Sequence, residues 1–186
     1  MMNPPAAEVW IEPVDEADLP KVRDLAERIW RSSYAELLSP GQIEYMLDWM
    51  YSLERLRHDW TSGVVFHWPI VDQIPVGYMA TQTDPHAAVL HLHKLYVLPQ
   101  FQGKGLGGRL LEHAFQAATQ AGCRTVRLHV NKGNLRAIAC YHRHGFLKEA
   151  SVVNDIGGGY FMDDYVMVRP LDLNTAQSVP SSGLLR

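Results

Sequence analysis

Four glycines fall within six residues at Gly103-Lys104-Gly105-Leu106-Gly107-Gly108, and the chain changes its period across them. Ala88 to Val97 reads as a strand, whereas Leu106, Leu110, Leu111, Ala114, Phe115 and Ala118 recur at helical spacing until Gly122 stops the pattern. A strand must end and a helix begin across a turn with almost no side chains. An α/β chain is therefore expected. Glycines let successive N–H groups turn toward one point, and the start of the helix adds partial positive charge. An anion, a pyrophosphate foremost, is the expected occupant, against the alternative of a turn that merely permits tight packing. The segment lacks the closing Gly-Lys-Ser/Thr of a Walker A loop, and no strand–GxGxxG–helix with an acidic residue after the next strand supports a dinucleotide fold.

Elsewhere the periodicity divides the chain into short elements. Glu8 to Val14 alternates as a half-buried strand, and from Asp15 a helical pattern puts Leu19, Val22, Leu25, Ala26, Ile29 and Trp30 on one face. Ser39-Pro40 is an N-cap and first helical position for a second helix that runs on through Leu53 to Trp60. Val64 to Ile70, Val76 to Thr83 and Ala88 to Val97 form an antiparallel meander. After the glycine-led helix come a strand at Thr125 to Val130, a helix at Asn134 to His144 stopped by Gly145, and a hairpin. Its strands, Phe146 to Val153 and Tyr160 to Val168, turn around Gly157-Gly158-Gly159. The expected class is α/β of the α+β type, one domain at 8–170 with a mixed, mostly antiparallel sheet flanked by helices. The element order is βααββββαβαββ or close to it. Residues 1–7 read as an N-terminal arm and 171–186 as a flexible tail.

Composition bounds the partners. With 17 basic and 20 acidic side chains, net charge -3 and no Lys/Arg block, neither nucleic acid nor an anionic membrane is the expected partner. No apolar run approaches the roughly 20 residues of a membrane helix, and Met1-Met2-Asn3-Pro4-Pro5 has no secretory pattern, so a cytoplasmic location is expected. Cys123 and Cys140 have no metal-binding spacing and read as thiols, and no metal is expected. A small-molecule site remains.

About thirty residues beyond the glycines stands Asn134-Leu135-Arg136-Ala137-Ile138-Ala139-Cys140-Tyr141-His142-Arg143-His144-Gly145-Phe146. Gln-x-x-Gly-x-Gly from Gln102 together with Asn-x-x-Ala-x-x-x-Tyr-x-x-x-Gly-Phe from Asn134 resembles the GNAT superfamily of acetyl-CoA-dependent N-acetyltransferases, most specifically over residues 88–148. The resemblance implies acetyl-CoA in a V-shaped opening between the strands ending at Val97 and Val130. Leu95, Tyr96 and Val97 would carry the pantetheine arm through the backbone. Gln102, Gly103, Lys104, Gly105, Leu106, Gly107 and Gly108 would hold the pyrophosphate, and Asn134 and Ala137 would reach the cofactor from the next helix. A homodimer is compatible with this reading.

Acyl transfer to an amine needs the neutral amine, yet an alkylammonium with a pKa of about 10.4 is almost wholly protonated at pH 7. A base must take that proton and an acid must meet the departing thiolate. The resemblance makes Tyr141 the acid. His91-Leu92-His93 offers two imidazoles on one face of a strand, and the segment resembles the corresponding strand of arylalkylamine (serotonin) N-acetyltransferases, where two histidines relay the proton. His129, twelve positions before Tyr141, is the second candidate base, where ribosomal-protein N-terminal acetyltransferases have a glutamate. The other histidines carry no pattern and most are expected at the surface. For the acceptor, Trp30 and Tyr34 among interleaved acids suit an amine, and Tyr160 is a candidate contact beside the Gly157–Gly159 tip. The stretch from Tyr34 to Pro40 is weakly similar to bacterial polyamine acetyltransferases. A small-molecule primary amine is the favoured partner, with a peptide N-terminus, or a non-catalytic acetyl-CoA sensor, as alternatives.

Overall fold

The computed structural model describes residues 8–171. Its elements are β1 (Val9–Pro13), α1 (Leu19–Ser33), α2 (Pro40–Tyr51), α3 (Leu53–Thr61), β2 (Val65–Val71), β3 (Ile74–Pro75), β4 (Gly77–Asp84) and β5 (Val89–Val97). There follow α4 (Leu106–Gln120), β6 (Thr125–Asn131), α5 (Leu135–Arg143), β7 (Leu147–Gly157) and β8 (Tyr160–Pro170). The strands form one sheet in the order β1-β2-β4-β5-β6-β8-β7, with β3 beside β2; β5 and β6 are parallel and every other pairing is antiparallel. This is the mixed, mostly antiparallel sheet expected from the sequence. The arm at 1–7 and the tail lie outside the described residues, apart from Leu171, whose N–H donates to the Arg124 carbonyl at 2.8 Å.

One expected helix is two. The pattern from Ile43 to Trp60 breaks at Ser52, which takes an extended ψ of 147° while its Oγ accepts from Arg55 N–H and starts α3. A serine side chain competes with helical hydrogen bonding and favours a cap, and here the cap wins over apolar periodicity. Ser39 caps α2 in the same way, through Gln42 N–H. The hairpin strands β7 and β8 also run longer than expected, to Gly157 and Pro170.

Helices cover both faces of the sheet. Tyr78 of β4 meets Tyr51 of α2 through a 2.9 Å hydroxyl–hydroxyl bond, and Tyr96 of β5 packs on Trp30 of α1 at 5.7 Å. The opposite face carries Met79 and its cross-strand partner His67, whose ring lies 4.5 Å from that of His113 on α4. Two irregularities at β5 set the shape of the sheet at its centre. Ala80 pairs with Lys94 but Thr81 with Leu92, so His93 is an extra residue, a β-bulge that turns both His93 and Lys94 toward the α1–α3 face. The parallel pairing of β5 with β6 runs from Val89↔Thr125 to Leu92↔Leu128 and then stops, although both strands continue. The sheet opens there into a V.

Candidate active site

The V widens into a cavity of about 1440 Å³, larger than the about 300–1,000 Å³ usual for one small ligand and suited to two. One wall is the β5 edge beyond Leu92: Leu95, Tyr96 and Val97 pair with β4 on one side only. An edge of this kind offers backbone donors and acceptors to an extended ligand.

At the end of β5, Gln102 acts as a strut. Its Nε2 donates to the Val97 carbonyl at 2.8 Å, and its Oε1 accepts from Arg136 at 2.6 Å, fastening strand, loop and α5 together. Gly105 stands just before α4 at φ 80°, a left-handed conformation that glycine alone takes without strain, and a Cβ built on Gly105 or Gly107 would meet nothing within 4 Å. The open space is on the cavity side, since Gly103, Gly105, Leu106, Gly107 and Gly108 all border it. The first bond of α4 is Arg109 N–H to the Gly105 carbonyl, so the preceding N–H groups of the first turn have no partner in their own helix. This bare helix start, with Arg136 and Arg143 also on the cavity wall, fits a diphosphate. Lys104 does not border the cavity; its Nζ lies 5.1 Å over the Phe101 ring. Asn134 Oδ1 caps α5 by accepting from Ala137 N–H at 3.1 Å, and both residues border the cavity.

Deeper in, Tyr141 is 8% exposed and stacks edge-on against Phe146 at 5.5 Å. Burial pushes its phenol well above the usual range, with Tyr34 and Cys140 adding to the effect, so it holds its proton at neutral pH. His91 and His93 stand ring to ring at 5.9 Å with planes 13° apart, as two residues of one strand face should. Both are shifted downward, first by loss of water; Lys94 and then His91 push His93 further, to about 4. His93 Nε2 is 3.2 Å from Gln82 Oε1. His129 borders the same cavity from β6, across the V.

Trp30 and Tyr34 also border the cavity, but from within the core: they stack at 4.6 Å, and Trp30 Nε1 donates to Tyr51 Oη at 3.2 Å. Tyr160 does not line it. Its ring packs 5.3 Å from Tyr45, whose hydroxyl donates to the Ile156 carbonyl at 2.6 Å, so these tyrosines fasten the hairpin tip to α2.

Among the cavity side chains that no motif singles out are His144 and Asp164. His144 of the α5 C-cap donates from Nδ1 to the Cys140 carbonyl at 2.8 Å, and a Cβ on Gly108 would come within 2.9 Å of its Nε2. Asp164 of β8 is 2% exposed, and its position was readable as an acid in phase with inward-facing Met162 and Val166. Of the histidines without a pattern, His58, His86 and His142 are exposed, whereas His67 and His113 pack on each other beneath the sheet.

Residues 21–146 match the model of the acetyltransferase (GNAT) family. A spermidine N(1)-acetyltransferase of Thermoplasma acidophilum is 26% identical over 137 residues, 71% of this chain and 84% of that protein. An uncharacterised N-acetyltransferase of Mycobacterium tuberculosis is 35% identical over 138 residues, 74% of this chain and 78% of its own length. Among solved structures, the PaiA N-acetyltransferase of Thermoplasma acidophilum in complex with coenzyme A has the same fold, with a TM-score of 0.74 over 88% of this chain and 99% of that one at 24% identity.

Proposed function

Because the chain belongs to the acetyltransferase (GNAT) family, we propose that it transfers the acetyl group of acetyl-CoA directly to the primary amine of a small molecule, with histidines taking the amine's proton and Tyr141 supplying the acid. The observation that carries this reading is that one cavity is bordered by a glycine-bare helix start, the buried Tyr141, and His91, His93 and His129.

Acetyl-CoA supplies the thioester when bound. The N–H groups before Arg109 take its phosphates, and the free edge of β5 aligns its arm, as an added strand would. Tyr141, whose burial keeps the phenol protonated, gives that proton to the leaving sulfur. His91 and His93 are neutral at pH 7 and so have a free nitrogen for the acceptor's proton. A ring held near 4 passes a proton on instead of keeping it, which suits His93 to a relay such as the arylalkylamine-like strand implies, ending in solvent. His129 serves the same purpose from the opposite wall. The similarity to a spermidine N(1)-acetyltransferase supports a small amine over a peptide N-terminus.

The test is thiol release from acetyl-CoA with a panel of alkylamines, diamines and a peptide with a free N-terminus. Turnover with small amines and little with the peptide is expected. Tight cofactor binding without release for any amine would favour a sensor.

A further inference from the structure

Asp164 is 2% exposed, borders the cavity, and has its Oδ1 buried without a hydrogen-bond partner among the described residues. The register explains how it comes to be there. Asp164 pairs with Asn131 and Val166 with His129, so the carboxyl and the imidazole stand on one face of the sheet as diagonal neighbours. A carboxylate held out of water with no partner costs several kcal/mol, and a fold normally removes such a group or pairs it. The neighbouring cations do not pair it: Lys132 is bonded to Asp163 and Arg127 to Glu149.

We propose that Asp164 is the anchor for the acceptor's ammonium group, so that the acceptor is taken as a cationic alkylamine in preference to an uncharged aromatic amine. This rests on the N-acetyltransferase reading and adds the charge class of the acceptor to it. Loss of water pushes the Asp164 carboxyl above its usual range, with His129 opposing the shift. An arriving ammonium restores the charged form and makes charge-assisted hydrogen bonds that an uncharged amine cannot. The anchored nitrogen then lies beside His129, one of the groups assigned to take its proton. Other charges of the cavity lie in the same sense, apart from Arg127 of β6, which is paired with Glu149. Glu36 and Asp155 border it from the α1–α2 connection and β7, whereas Arg136 and Arg143 border it from α5, beside the glycine turn.

The experiment compares the protein with Asp164→Asn, which keeps the side-chain shape, after thermal unfolding has shown that both fold. Steady-state kinetics at pH 7.5 use butylamine, a cation, and aniline, which is uncharged. The variant is expected to raise KM for butylamine at least about tenfold, a loss of about 1.4 kcal/mol or more, and to leave aniline unchanged. Equal changes for the two amines, or none for butylamine, would overturn the proposal. Calorimetry of butylammonium with the coenzyme A-saturated proteins needs no turnover, and weaker binding by the variant is expected. Equal binding, or no heat from either protein, refutes the anchor, whereas silence in the kinetics of the unsubstituted protein speaks against the transferase reading alone.

Discussion

At the scale of single residues, the groups proposed for the chemistry stand in surroundings that push them in opposite directions. Tyr141 is raised by burial and keeps its proton; the histidine pair is lowered and stays free of one. Tyr141→Phe is therefore expected to lower kcat by about 10²–10⁴-fold while coenzyme A affinity, followed by calorimetry, stays within about twofold. Unchanged turnover would remove the phenol from the acid role. His91→Ala with His93→Ala is expected to slow the reaction most below pH 7.5, where free amine is scarce, and to approach the unsubstituted rate as alkaline buffer supplies deprotonated acceptor. A loss independent of pH would shift the role to His129. The pair was legible as alternate residues of a strand. What the sequence hid is the bulge at His93, because it depends on where β4 pairs, and with it the buried Lys94 that lowers His93.

At the scale of elements, α3 holds the floor beneath that bulge. Lys94 Nζ lies 3.7 Å from Asp59 Oδ2 and 5.3 Å over the Tyr51 ring, and Arg55 donates to Asp59 at 2.8 Å. Asp59 and Lys94 are both under a tenth exposed, so removing one leaves the other charged and buried. Asp59→Ala is expected to cost about 3–5 kcal/mol, read from urea unfolding. The glycine turn makes the opposite demand, for emptiness. A Cβ at Gly107 would meet nothing within 4 Å, so Gly107→Val should keep the fold while coenzyme A binding weakens at least about tenfold. Gly105→Val, at φ 80°, adds backbone strain of about 1–3 kcal/mol and should abolish binding. Elements that announce themselves locally were readable: the Ser39 cap, the glycine turn, and the stops at Gly122 and Gly145. The break at Ser52 was not, since the apolar pattern continues across it. The motifs named one half of the cavity because its contacts are near in sequence. Asp164 and Asp155 meet the other half only through long-range pairing of β6, β7 and β8, and Glu36 comes to it from the α1–α2 connection.

At the scale of the whole molecule, stability is tied to acidity through a ring that the fold keeps largely out of water, that of His67. His67 is held near 4 in the folded protein, against about 6.5 when unfolded. Between these values the unfolded chain binds more protons, so stability is full above about pH 6.5 and declines as the pH falls toward 4. Urea midpoints across that window should drop steadily, and His67→Gln should make the decline shallower; a midpoint that is flat from pH 7 to 4 would contradict the burial of this ring. β5 and β6 part in the middle of the sheet, not at its rim. A raw strand edge on the rim of a protein is an invitation to any passing chain to zip onto it. By splitting down the middle, this sheet turns the unmet amides of β5 onto the wall of a cavity, away from its two outer rims at β1 and β7.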